Sequence, residues 1–180
     1  MKGIIFRELL ELVEERFGLE TVDHIIESSD LPSGGAYTAV GTYDFAEMLQ
    51  LLTHLSAKTG IDVGTLQRVF AEHFFQVIKR DYSSFLQMYS DPLEMLSSIE
   101  NHIHVEVQKI YPEAQLPTFD IKEKSASKLV MVYNSSRAMY SFGLGLMEQT
   151  FKHFDQQAEI DMELLKDDGT EVKFVISTNG

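Results

Sequence analysis

The first 80 residues carry apolar side chains at the spacing of α-helices. Leu9, Val13 and Phe17 recur at intervals of four, with glutamates between them, and Gly18 follows as a helix end. The same periodicity predicts three more helices, over residues 21–28, 44–58 and 64–80.

A further helix is predicted from Asp91 to Ile110. Asp91 suits the cap position and Pro92 the first turn, where its missing N–H costs nothing. Tyr111-Pro112 predicts the end of this helix, because a residue before proline disfavours the helical conformation.

After residue 112 the apolar period changes from helical to alternating. This predicts strands over residues 118–123, 128–133, 159–165 and 171–177, with a helix over 138–154 between the second and third. Asp168-Gly169 separates the last two alternating runs and predicts a hairpin. Gly143 and Gly145 indicate places where a neighbour packs close to the inserted helix. Helices followed by an antiparallel sheet with one inserted helix predict an α+β fold.

Composition narrows the classes of function. The 180 residues suit one domain, and 28 acidic against 15 basic residues give a net charge of −13. This negative charge disfavours both nonspecific binding to nucleic acid and binding to anionic lipid. The absence of cysteine excludes disulfides and thiolate-bound metals. No apolar run approaches the roughly 20 residues that span a membrane, so we expect a cytoplasmic protein.

The histidines are the first candidates for chemistry. His102 and His104 are two apart, about 200° around a regular helix, and so cannot bind one metal together. His104 lies at the margin of the apolar arc of its helix. From spacing alone it is either a metal or cofactor ligand or a hydrogen-bonded histidine at the edge of the core.

Three donors alternate where a strand gives way to a helix. In an extended segment Tyr133, Ser135 and Arg137 project to the same side, which suits a carboxylate or phosphate. The structural alternative is a helix-capping serine, a packed tyrosine and a solvated arginine. Walker, dinucleotide and nucleophile-elbow motifs are missing, so the sequence does not favour an enzyme.

These candidates together resemble the H-NOX family of haem nitric-oxide/oxygen-binding domains. The resemblance rests on His104, Tyr111-Pro112, Pro117 and the Tyr133-x-Ser135-x-Arg137 triplet, and it covers essentially the whole chain. It implies a single domain, 1–180, with a distal helical part, 1–60, and a proximal part with the sheet, 61–180. Haem b would be buried between the two parts.

The resemblance also assigns roles to residues. It implies that His104 is the proximal iron ligand, and the offset to Pro112 selects it over His102. It implies that Tyr133, Ser135 and Arg137 bind the haem propionates. Pro117 matches a proline that presses on the macrocycle and distorts it.

Two positions, Ile5 and Phe142, fall in the distal pocket by resemblance. Oxygen-binding members carry a tyrosine nine residues after the tyrosine of the triplet, where this chain has Phe142. A phenyl ring cannot donate, so bound dioxygen would lose a hydrogen bond worth roughly 1.5–3 kcal/mol. Tyr140, two positions earlier, would face away from the pocket. We therefore expect a sensor of nitric oxide, with carbon monoxide as a further ligand, that excludes dioxygen.

The implied function is regulatory rather than catalytic. By resemblance, nitric oxide binds opposite His104, weakens the iron–histidine bond and shifts the amino-terminal helices against the sheet. Because the chain ends at Gly180 without an effector segment, we expect a partner in trans: a histidine kinase, or a diguanylate cyclase or phosphodiesterase. The alternatives are a non-haem metal-binding domain that uses His104 with carboxylates, and an interaction domain that has lost haem.

Overall fold

The computed structural model describes residues 1–178 and shows the predicted α+β order. Its helical segments are α1 (Gly3–Phe17), α2 (Leu19–Glu27), α3 (Phe45–Thr59), α4 (Val63–Asp81), α5 (Ser83–Leu86), α6 (Pro92–Ser97), a π-helix (Ile99–Ile103), α7 (His104–Ile110) and α8 (Tyr140–His153). Its strands are β1 (Thr118–Lys124), β2 (Lys128–Asn134), β3 (Glu159–Leu164) and β4 (Glu171–Ser177).

Helix starts follow the capping residues in the sequence. Asp44, Asp62 and Asp91 each accept a backbone N–H in the first turn of the helix that follows. Gly60 closes α3 with φ 74°, a left-handed conformation that favours glycine. Such local signals explain why α3 and α4 begin and end within about one residue of their predicted bounds.

The single helix predicted from Asp91 to Ile110 is wrong. The chain forms α6, then the π-helix, then α7, and the N–H of His104 donates to the carbonyl of Ile99 across the wider π spacing. Apolar periodicity does not reveal one extra residue in a turn. The short helix α5 was also not predicted.

All four strands are antiparallel, in the order β1-β2-β4-β3. The central strands β2 and β4 bring Tyr133 opposite Val172 and Met131 opposite Phe174. Helix α8 connects β2 to β3, which confirms the predicted inserted helix. Gly169 adopts φ 74° in the predicted hairpin, within a connection longer than a two-residue turn.

Two large cores meet in this arrangement. The first is formed by the helices α1, α2, α3 and α4 around Phe6, Met48 and Phe70. The second is formed by α6, α8 and the sheet around Met131 and Phe174. Within residues 1–178, no helix is long and apolar enough to cross a membrane.

Helices α4 and α8 cross closely at Gly145. A Cβ there would stand 2.6 Å from Cβ of Ala71 and 3.2 Å from Cα of Arg68, so the predicted close packing is confirmed at this glycine. At Gly143 it is not, because no neighbouring element within residues 1–178 comes within 4 Å of the equivalent point. That space belongs to a cavity.

Candidate functional site

A cavity of about 850 Å³ lies where the two cores meet. Its volume is within the range of roughly 300–1,000 Å³ that is typical of ligand and cofactor sites. The predicted site residues all contribute to its wall: Ile5, His104, Pro117, Tyr133, Ser135, Arg137 and Phe142. His102 and Tyr140 do not line it.

His104 is the first residue of α7 and lies in the cavity wall. Its Nδ1 is 3.0 Å from Oε1 of Glu100, and only 15% of the side chain is exposed. Burial lowers the pKa of His104, while the Glu100 carboxylate opposes that shift. The neutral imidazole donates Nδ1–H to Glu100, so Nε2 keeps the lone pair that can bind a metal.

His102 has different surroundings, although it is only two residues away. Its Nδ1 is hydrogen-bonded to the hydroxyl of Tyr89, which also accepts a bond of 2.6 Å from Ser98. Its ring lies near Phe85. The two histidines therefore face different partners, as predicted, with a π-helix rather than a regular helix between Ile99 and Ile103.

The row of three donors is not extended as predicted. Strand β2 ends at Asn134, and the N–H of Ala138 closes a turn by donating to the carbonyl of Ser135 at 3.2 Å. Ala138 adopts φ 50° there. The turn, rather than strand alternation, brings Tyr133, Ser135 and Arg137 to one wall of the cavity.

Both hydroxyls of this triplet already accept a backbone hydrogen bond. Tyr133 accepts from the N–H of Met139 at 3.0 Å, and Ser135 accepts from the N–H of Arg137 at 3.2 Å. A hydroxyl that accepts in this way still has its own proton to donate. Burial raises the pKa of Tyr133, so the phenol keeps that proton.

Arg137 is a half-buried cation with a neutral partner. Its guanidinium donates to the backbone carbonyl of Gln115 at 2.6 Å and to the Gln115 side-chain oxygen at 3.2 Å. Among residues 1–178 it has no carboxylate partner, and burial lowers its pKa. With the two hydroxyls, this cation forms a site for an anionic group at the edge of the cavity.

The residues of α1 and α4 that line the cavity are apolar. Ile5 and Phe142 pack against the first core, and the ring of Phe142 lies 5.1 Å from Phe70 and 5.9 Å from Phe74 between centroids. None of these side chains can donate a hydrogen bond. Tyr140 lies against Gly169 in the β3–β4 connection, away from the cavity as predicted.

The sequence did not single out two residues that touch the site. Glu100 lies four positions before His104, a spacing that could have indicated its contact with the histidine. Gln115 lies in the loop before β1, and no sequence signal indicated its contact with Arg137.

The chemistry of the wall fits haem. An imidazole can bind iron, an apolar cavity can take a flat macrocycle, and three donors at its edge can bind two carboxylates. Within residues 1–178, no group of three histidine, aspartate or glutamate side chains is placed to hold a metal ion.

Comparison with known proteins agrees with this chemistry. The family model described as haem-NO-binding matches residues 2–162. No curated protein sequence gives a significant match.

Solved structures of H-NOX proteins are also similar. The Fe(II) unliganded H-NOX protein from K. algicida is 60% identical, with a TM-score of 0.98, over 100% of this chain and 97% of that one. The H-NOX from Shewanella woodyi, bound to IWP-051 in the Fe(II)CO state, is 36% identical, with a TM-score of 0.84, over 99% and 95%. The H-NOX protein from S. oneidensis in the Fe(II)NO state is 21% identical, with a TM-score of 0.89, over 100% of both chains, and shows likeness of fold alone.

The family match spans most of the chain, and the K. algicida structure matches all of it at high identity. The predicted resemblance is thereby confirmed. The chain belongs to the H-NOX family of haem-based gas-sensor domains.

Proposed function

We propose that this protein binds haem b through His104 and senses nitric oxide. The observation that carries the proposal is the pairing of two features in one apolar cavity. One is His104, whose Nδ1 is engaged by Glu100 and whose Nε2 is left for a metal. The other is Arg137, a cation whose contacts are to neutral Gln115 oxygens.

The triplet is proposed to bind the propionates. Tyr133 and Ser135 each have a hydroxyl proton to donate, and Arg137 exchanges the neutral oxygens of Gln115 for a carboxylate. Pro117 lies in the same wall and is proposed to press on the macrocycle. When bound through His104, ferrous haem would supply an iron centre that can bind a diatomic gas.

Nitric oxide is the proposed signal and carbon monoxide a further ligand. Ile5 and Phe142 offer no hydrogen-bond donor to stabilise dioxygen. The relatives from S. oneidensis and S. woodyi have been solved in Fe(II)NO and Fe(II)CO states respectively.

Signalling is proposed to pass through α7, because His104 is its first residue. Release of His104 would free this helix, and the distal part, 1–60, would then shift against the proximal part, 61–180, which contains α7. We propose that a histidine kinase, or a diguanylate cyclase or phosphodiesterase, reads the change in trans. A partner responds only if its contacts differ between the two states.

Absorption spectra of the ferrous protein test the assignment. We expect a Soret band that shifts on addition of nitric oxide and of carbon monoxide, and no stable dioxygen complex in air. His104→Gly should bind haem only when free imidazole replaces the missing side chain. His102→Gly is the matched control and should keep the wild-type spectrum. A His104→Gly spectrum identical to wild type without imidazole would show that another residue binds the iron.

A further inference from the structure

One carboxylate oxygen joins the proposed iron ligand to the sheet. Oε1 of Glu100, in the π-helix, lies 3.0 Å from Nδ1 of His104 and accepts the backbone N–H of Phe119 at 2.9 Å. Phe119 is the second residue of β1 and is 7% exposed. The Glu100 carboxylate therefore has a fixed position between α7 and β1.

Packed aromatic rings also connect His104 to the sheet beside this carboxylate. The ring of Phe119 lies 6.1 Å from the ring of His104 and 5.6 Å from that of Tyr133. Phe119 and Tyr133 are also paired across β1 and β2. Glu100 and Phe119 thus connect the proposed ligand to the strand that carries a proposed propionate donor.

The Glu100 carboxylate interacts with His104 rather than with a lysine or arginine side chain. Within residues 1–178, the one ion pair that Glu100 forms is with His104, and no lysine or arginine competes for its oxygens. A carboxylate that accepts Nδ1–H from an imidazole fixes its tautomer and its ring orientation. It also makes Nε2 a stronger electron donor to a metal.

We propose that Glu100 is a positioning residue that sets the strength of the iron–histidine bond, and with it the ease with which gas binding releases His104. This inference rests on the proposed function, since it takes His104 as the ligand. It adds that Glu100 in the π-helix, through its contact with β1, sets how readily the protein responds to gas.

Three variants separate this role from a general effect of charge. Glu100→Gln keeps the shape and an acceptor oxygen but loses the charge, and Glu100→Ala removes both hydrogen bonds. Glu106→Gln is the matched control, because Glu106 lies on α7, pairs with Lys109 and is not part of the cavity wall.

The first measurement is the iron–histidine stretching frequency of the ferrous holoprotein without gas, by resonance Raman. We expect it to fall in Glu100→Gln and further in Glu100→Ala, and to stay unchanged in Glu106→Gln. The rate of haem loss to an acceptor protein should rise roughly 10–100-fold in the two Glu100 variants. A readout without haem is the ¹⁵N spectrum of the His104 ring in the haem-free protein, where Glu100→Gln should weaken the hydrogen bond at Nδ1.

The outcomes distinguish the two proposals. If the wild-type iron–histidine band is unaffected by His104→Gly, the proposed ligand is wrong. If that band is lost in His104→Gly but unchanged in Glu100→Gln, the role of Glu100 is overturned while the proposed function stands. An equal shift in Glu106→Gln would also overturn it. Should Glu100→Ala fail to fold, Glu100→Gln decides the question alone.

Discussion

Phe142 lacks a hydroxyl group that a tyrosine would place at the same position in the cavity wall. Its ring lies in the cavity wall beside Phe70 and Phe74, none of which can donate a hydrogen bond. Dioxygen on ferrous iron gains far more than nitric oxide from a nearby donor. A single hydroxyl at this position should therefore change the selectivity of the protein.

Phe142→Tyr should make the ferrous protein retain dioxygen. A hydrogen bond worth roughly 1.5–3 kcal/mol corresponds to a gain in affinity of about 10–150-fold, measured from dioxygen association and dissociation rates. Tyr140→Phe is the matched control and should change nothing, since Tyr140 lies against Gly169. A stable dioxygen complex of the wild-type protein would contradict this prediction.

His153, the last residue of α8, should make stability depend on pH. Burial, with a contribution from Lys79, lowers the pKa of His153 below 6.5. As pH falls through 6.5, the unfolded chain therefore takes up a proton that the folded protein does not, and the folded state loses stability. Urea unfolding from about pH 8 to about pH 5 should show a smaller loss in His153→Gln than in wild type. His24→Gln, at an exposed position on α2, should behave as wild type; equal losses in all three proteins would rule out His153.

At the scale of elements, the crossing of α4 and α8 fixes one side of the cavity. Gly145 allows the two helices to approach at Ala71 and Arg68, while Gly143, two residues earlier, faces the cavity. The same residue type thus serves two purposes within one helix.

Gly145→Ala should destabilise the protein, because its Cβ would stand 2.6 Å from that of Ala71. Overpacking of this kind costs about 1–3 kcal/mol in the free energy of unfolding, measured by urea denaturation of the haem-free protein. Gly143→Ala is the matched control, since it has space and should gain about 0.5–1 kcal/mol from helix propensity. Equal effects of the two substitutions would show that the close crossing does not matter.

The elements that the sequence predicted well are those with local signals. Asp44 and Asp62 cap their helices, Gly60 ends one, and alternation marks the strands. The π-helix has no such local signal, and its Glu100 contacts Phe119, 19 residues away, which periodicity could not reveal. Nor could it reveal the turn after Asn134, which brings the triplet together by a route other than strand alternation.

The candidate site, like the fold, was only partly predictable from the sequence. Spacing alone left His104 and the triplet open to structural interpretations, and their proposed roles come from the family resemblance. The partner of Arg137, Gln115, is 22 residues away in sequence, and only the fold places it there.

At the scale of the whole molecule, the cavity lies between two cores that also meet at the crossing of α4 and α8. Its lining is largely apolar and takes residues from both cores, such as Ile5 from the first and Phe119 from the second. A ligand that fills it should therefore join the two cores.

Removal of haem should lower the free energy of unfolding. A ligand that binds only the folded state contributes about 2.7 kcal/mol at 100 times its dissociation constant and about 4.1 at 1,000 times. Urea unfolding of the holoprotein and the haem-free protein, followed by circular dichroism, measures the difference. His104→Gly without imidazole should unfold at the same midpoint with and without added haem, since it binds none. Coincident unfolding midpoints of the holoprotein and the haem-free protein would contradict the prediction.

The wall of the cavity also has a consequence for the order of synthesis. It takes residues from Met1 in the amino-terminal segment to Thr150 in α8. Domains form as their chain emerges from the ribosome, amino terminus first. Because α8 comes late in the chain, the wall of the cavity is complete only late in synthesis, and a cofactor could be enclosed only after that.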